Sequence, residues 1–166
     1  MKTLYIVRHA KSSWDDLSLS DHDRGLLPVG EKRTGKIAEW LKSKGIVPDK
    51  IISSTAVRAY ETARILARGI NYPEGKIEKQ YTLYNSDPED VLQVLYGLSD
   101  EVKTVMVVGH NPAFTDLANL FLKGDEQLYN LPTSAVVAIN FNTNHWNEID
   151  LAKHKVEFLI TPKMLK

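Results

Sequence analysis

Short apolar runs rich in β-branched residues alternate along this chain with longer segments of helical periodicity, and that alternation restricts the fold more than any other feature. Residues 3–7, 50–53, 77–81 and 104–108 have strand character. Ile37, Ala38, Trp40 and Leu41 mark a helix from about 30 to 44, stopped by Gly45. Val57, Tyr60, Ala63, Ile65, Leu66 and Ala67 mark a second, with Ser54 or Thr55 as its cap. Val91, Leu92, Val94, Leu95 and Leu98 form the buried face of a third, which opens at Asp87-Pro88. A fourth is expected from Asn111 as N-cap, with Pro112 at the first helical position, through about Leu122. Residues 134–141 and 145–152 read as two strands of a terminal hairpin around Asn142-Thr143-Asn144.

Strands and helices in this order imply βαβ units, and so an α/β fold: a three-layer α/β/α sandwich with a mainly parallel sheet and one antiparallel edge strand from the hairpin. A length of 166 residues suits one domain spanning 1–166, and no repeat or linker interrupts it. The 21 basic and 21 acidic side chains cancel, which removes the broad positive field that nucleic-acid binding needs. No cysteine is present, so disulfides, thiolate nucleophiles and cysteine-held metals are excluded. No apolar run approaches the roughly 20 residues of a membrane span, and the N-terminal run is too short for a signal peptide. A cytoplasmic location without a membrane partner is the expectation.

Ligands of such sheets bind at the carboxyl ends of the strands, which places Arg8, His9, the loop before Arg58 and Gly109-His110 on one rim. Two arginines and two histidines there suit a phosphoryl group, because guanidinium forks bind its oxygens in pairs and a neutral imidazole is a nucleophile. Arginine charge nearby would hold the pKa of His9 low. His22, His145 and His154 lack metal-ligand spacing, and no metal is expected. Trp14, Trp40 and Trp146 read as core or rim packing, with Trp14 near enough to wall the pocket.

Arg8-His9-Ala10, the segment Ser54-Thr55-Ala56-Val57-Arg58-Ala59-Tyr60-Glu61-Thr62-Ala63, and Gly109-His110 form an ordered set that resembles the histidine phosphatase superfamily, which is phosphoglycerate mutase-like in fold. Arg24-Gly25-Leu26-Leu27-Pro28-Val29-Gly30 echoes the family's entry to its first helix, and Pro132-Thr133-Ser134-Ala135 is similar to the SixA-like branch. The resemblance implies that His9 is transiently phosphorylated, Arg8 and Arg58 clamp phosphate, and His110 donates to phosphoryl oxygens, helped by the following helix's N-terminus. Arg24 and Ser12, with Lys11, are candidates for substrate contact. No organic cofactor is implied. The expected substrate is a phosphorylated protein carrying phosphohistidine, or else a small phosphate ester, handled by a monomer.

This sequence departs from the family pattern twice. Ala10 replaces the motif glycine, and Leu83 is followed by Tyr84 and Asn85 where mutase-like members place a glutamate general acid. An alkoxide leaving group, whose alcohol has a pKa near that of water at about 15.7, strongly needs that proton. A phosphohistidine can release a neutral imidazole, whose conjugate acid has a pKa near 6.5, without it. Asp15, Asp16, Asp87 and Glu89 are the candidate substitutes. Two alternatives stand beside the phosphohistidine reading: a general phosphomonoesterase or mutase-like enzyme, and a non-catalytic module that binds phosphorylated ligands.

Overall fold

The structure, a computed structural model, describes residues 1–165, so Lys166 at the end of the expected domain lies outside them. In chain order the elements are β1 (Lys2–Arg8), α1 (Pro28–Ser43), β2 (Lys50–Ser54), α2 (Val57–Gly69), β3 (Glu78–Gln80), α3 (Pro88–Tyr96), β4 (Thr104–Gly109), α4 (Ala113–Asn119), β5 (Val136–Phe141) and β6 (His154–Ile160). The strands form one sheet in the order β3-β2-β4-β1-β5-β6. β1, β2, β3 and β4 pair in parallel, and β5 pairs antiparallel with both β1 and β6.

The central strands are apolar throughout because both faces of the sheet are covered. Leu4 and Ile6 of β1 and Val105 and Val107 of β4 join Leu92, Leu95, Phe114 and Leu117 in one core. Tyr5 and Val7 of β1 and Met106 and Val108 of β4 join Ile37, Leu41, Ala63 and Leu66 in the other. Period-two alternation along each strand thus feeds two cores, with α1 and α2 over one face and α3 and α4 over the opposite face. This is the expected α/β/α sandwich.

One strand runs against the rest, as expected, but it is β5, and β6 lies outside it at the edge. The second hairpin strand falls at His154–Ile160 and not at residues 145–152. Trp146 causes the displacement: it is fully buried in a 3₁₀ turn, and its indole N–H donates to the Val102 carbonyl at 2.7 Å. The connection is therefore a long packed loop. Helix α4 begins at Ala113, later than expected, because the Asn111 side chain accepts from the Thr115 N–H at 3.1 Å and donates to the Leu131 carbonyl at 3.0 Å. Asn111 thus stands one residue before the observed N-cap, Pro112, where its side chain both accepts from the first turn and closes the loop at 130–131.

The loop from His9 to Leu27 folds back as a short ladder, with Ser12 bridged to Leu26 and the Leu27 N–H donating to the Lys11 carbonyl at 3.0 Å. Gly30, in the first turn of α1, lies against that ladder so closely that a Cβ there would stand 2.4 Å from the Lys11 carbonyl oxygen. Gly30→Ala is expected to destabilise the fold by about 1–3 kcal/mol through overpacking. Urea denaturation would show a lower midpoint with an unchanged slope, and an unmoved midpoint would show that the loop yields freely.

Candidate active site

β1 and β4 end side by side, with Arg8 registered opposite Gly109, so the next residues, His9 and His110, emerge together. Their rings lie 5.1 Å apart, centroid to centroid, and each residue is only 8% exposed. Nδ1 of His9 is 2.7 Å from the Ala10 carbonyl oxygen. A carbonyl can only accept, so Nδ1 carries the proton and the lone pair of the neutral ring sits on Nε2. The Ala10 N–H donates to Oγ1 of Thr62 at 2.8 Å, and that hydroxyl donates to the Arg58 carbonyl at 2.7 Å. Thr62 thereby ties the end of β1 to the first turn of α2. Ala10 is fully buried and its backbone does not enter the left-handed region, so the methyl group is accommodated without strain.

Ser134, whose φ of 62° is left-handed, turns its N–H to the carbonyls of Arg8 at 3.0 Å and His9 at 3.2 Å. Its hydroxyl lies 2.9 Å from that of Thr34. On the far side, Nε2 of His110 is 2.8 Å from the Ser54 hydroxyl at the end of β2.

Arg58 is buried, and its terminal nitrogens donate to the Asp21 backbone carbonyl at 2.7 Å and side-chain Oδ2 at 3.0 Å. Asp21 also accepts from Arg24 at 3.2 Å and from the Tyr84 hydroxyl at 2.6 Å. These bonds hold its carboxyl down at about 2, so it is a carboxylate throughout the neutral range and no proton donor there. Sequence reasoning missed both Asp21 and Tyr84. The spacing of Asp21 and Arg24, an i,i+3 pair, is the local signal that was present.

Arg8 donates to the Leu131 carbonyl at 3.0 Å. Among the described residues, Nε of Arg8, Nε of Arg58 and Nδ1 of His110 are buried without a hydrogen-bond partner. Each such group costs about 1–3 kcal/mol, so the cluster is poised for an acceptor. An open cleft of about 510 Å³ reaches Arg8 and His9, and Lys11, Ser12, Trp14, Asp15 and Arg33 also line it. Arg58 and His110 flank His9 on the side of Asp21 and Ser54.

Arg24 and Ser12 are joined to each other at 2.8 Å, and the Arg24 guanidinium stacks 3.4 Å over the Trp14 ring. Arg24 is buried and its donors brace the loop. Of the candidate acids, Asp15 alone lines the cleft. Asp16 is bonded to Ser18, Asp87 forms a capping box with Asp90, and Glu89 accepts from Gln93. His22 bonds Thr55 at 2.8 Å and edges onto Tyr84, which brings it to the rim. His145 pairs with Asp100 and His154 with the Phe121 carbonyl, both remote from His9.

Burial lowers His9 from its ordinary 6.5 to about 4, with the charges of Arg58, Arg8 and Arg24 acting in the same direction. Burial outranks the arginine charge that the sequence pointed to. His110 is lowered to about 3, again mainly by burial and then by His9 and Arg58.

The sequence profile of the histidine phosphatase superfamily (branch 1) matches residues 4–83. A Mycobacterium leprae protein, ML1117, is 30% identical over 168 residues, covering 95% of this chain and all of that one. The structure superposes on the Agrobacterium tumefaciens protein SixA, described as a candidate phosphohistidine phosphatase, with a TM-score of 0.80 and 27% identity over 97% of this chain and 98% of that one. It superposes on the protein histidine phosphatase SixA solved with tungstate with a TM-score of 0.82 and 23% identity, over 99% of each chain. The chain belongs to the histidine phosphatase superfamily.

Imidazole titration by NMR is expected to give a midpoint near 4 for His9 and near 3 for His110, whereas His145, bonded to Asp100, titrates above its ordinary value. Unfolded imidazoles take up protons near 6.5, so stability should fall as pH drops from there toward 4. A His9 midpoint near 6.5 would show that its ring is not desolvated in solution.

Proposed function

We propose that the chain is a phosphohydrolase that passes a phosphoryl group through Nε2 of His9 to water, and that its substrate is phosphohistidine on a partner protein. The observation that carries this reading is the 2.7 Å bond from Nδ1 of His9 to the Ala10 carbonyl. It fixes the ring in the tautomer that presents Nε2, and the pKa of about 4 keeps that lone pair free at neutral pH. The lone pair attacks phosphorus as the bond to the substrate's imidazole nitrogen breaks, and the electron pair departs with that imidazole. Arg8, Arg58 and His110 donate to the phosphoryl oxygens as charge shifts among them. Water then attacks phosphorus, the bond to Nε2 breaks, and the water's proton leaves with phosphate. Every step uses the chain's own groups and water, without metal or organic cofactor.

Choice of substrate follows from the ionisation of the site. Asp21 stays a carboxylate, and Asp16, Asp87 and Glu89 are engaged elsewhere, so a leaving group that departs as neutral imidazole suits the site better than an alkoxide. Similarity to the Agrobacterium tumefaciens protein supports the same choice. The open cleft suits a monomer acting in the cytoplasm on exposed protein histidines. One observation favours the phosphomonoesterase reading, because the Asp15 carboxyl shares the cleft with His9 and could protonate an alkoxide.

Phosphate release from a phosphohistidine protein, an aryl phosphate and a sugar phosphate tests these readings together. His9→Ala is expected to lose at least about 10³-fold on every substrate it turns over, and equal release by variant and wild type would overturn the nucleophile. Wild-type release should be fastest from phosphohistidine and slowest from the sugar phosphate. If the sugar phosphate is preferred and Asp15→Asn removes that preference, the phosphomonoesterase reading replaces the first. The acid limb of kcat/KM is expected near pH 4, because protonation of His9 removes its lone pair.

A further inference from the structure

The cleft at His9 does not end at the phosphate clamp. Arg33 and Thr133 form one wall of it and also border a second hollow of about 440 Å³, which runs on past Lys36, Pro132, Thr161 and Lys163. The two hollows meet at Arg33 and Thr133, so together they lead away from His9 along the exposed Arg33 and Lys36 of α1. Arg33 and Lys36 are three residues apart on that helix and project together.

Charge along this groove is one-sided. Lys11, Arg33, Lys36 and Lys163 line it, and none of them is in an ion pair among the described residues. Six other cations are matched: Arg24 and Arg58 by Asp21, Arg64 by Glu61 and Glu74, Arg68 by Glu74, Lys50 by Glu78 and Lys155 by Glu157. The carboxylates at hand are Asp15, within the cleft beside His9, and Glu39, which borders a neighbouring hollow with Lys36. Four cations without an ion pair thus line the surface that adjoins the phosphate site, on a chain whose 21 basic and 21 acidic residues cancel overall. Such a patch attracts anions focally without a net charge on the whole molecule.

A macromolecular occupant is indicated by the mouth of the same cleft. Trp14, with 66% of its surface exposed, lines it together with Arg33. Exposed aromatic and arginine side chains are enriched in protein interfaces. A small phosphorylated metabolite would leave them uncovered.

We infer that this groove docks acidic side chains flanking the phosphohistidine of a partner protein, so that Arg33, Lys36 and Lys163 select the substrate by charge while His9 performs the transfer. This rests on the phosphoprotein reading above. Its test is accordingly made first by binding, which needs no turnover. Calorimetry would compare an acidic histidine-containing peptide with its Asn/Gln counterpart, on wild type and on Lys36→Glu/Lys163→Glu. The milder Lys36→Gln/Lys163→Gln guards against misfolding.

The acidic peptide is expected to bind wild type at least about 10-fold more tightly than the neutral one, with that margin lost in the charge-reversed protein and in 0.5 M salt, as exposed pairs require. Turnover of an aryl phosphate should be unchanged in both variants. Equal binding of the two peptides by wild type overturns the groove, even if aryl phosphate turnover confirms the catalytic reading. Pyrophosphate competing for Lys36 and Lys163 as tightly as the acidic peptide overturns the protein partner in favour of a small polyanion. Loss of aryl phosphate turnover in wild type would instead sink the catalytic proposal, and the peptide margin would still decide the groove.

Discussion

The backbone of Ala10 is the point on which the site depends. Its N–H is taken by the Thr62 hydroxyl and its carbonyl by Nδ1 of His9, so the two peptide planes that meet at this residue anchor the backbone and fix the nitrogen of the imidazole that carries its proton. Because Thr62 also holds the Arg58 carbonyl, the same bonds fix the distance between the end of β1 and the first turn of α2. Ser134 closes the other side through the carbonyls of Arg8 and His9. Buried networks of this kind are strong when fully paired, and this one spends its pairing on backbone and hydroxyls, leaving Nε2 of His9 free.

Gathering three arginines and two imidazoles in a buried corner has an electrostatic cost, which the protein meets in two ways. The imidazoles are kept neutral by burial, and Asp21 faces Arg58 and Arg24 as a carboxylate. Arg8 is left without a carboxylate and meets only the Leu131 carbonyl. The asymmetry prepares one flank of His9 for an incoming anion, and the other flank is already neutralised. It also explains why a carboxylate so near the reacting atoms supplies no acid: the arginines and the Tyr84 hydroxyl that hold it there stabilise its ionised form.

Strands β1, β2 and β4 were legible in the sequence because burial on both faces makes them continuously apolar. β6 was not, since this edge strand breaks the period-two pattern: Lys155 and Glu157 are exposed, Val156 and Phe158 are half-buried on opposite faces across a bulge, and Trp146 lies nearby. Arg8, His9, Arg58 and His110 could be nominated from their places at strand ends and helix starts. Asp21 and Tyr84 could not, because the bond that makes them part of the site joins residues 63 apart.

The sequence by itself determined the chemical inventory: which cations and imidazoles stand at strand ends, their order, and the lack of a glutamate after Leu83. Tertiary structure alone decided their state. The neutrality of both imidazoles and the ionisation of Asp21 depend on burial and partners from distant segments, while the tautomer of His9 and the bracing role of Arg24 depend on how the loop after β1 folds back on itself. Proton affinity is set by desolvation and by charges a few ångströms away, and only the closed sheet brings those within range.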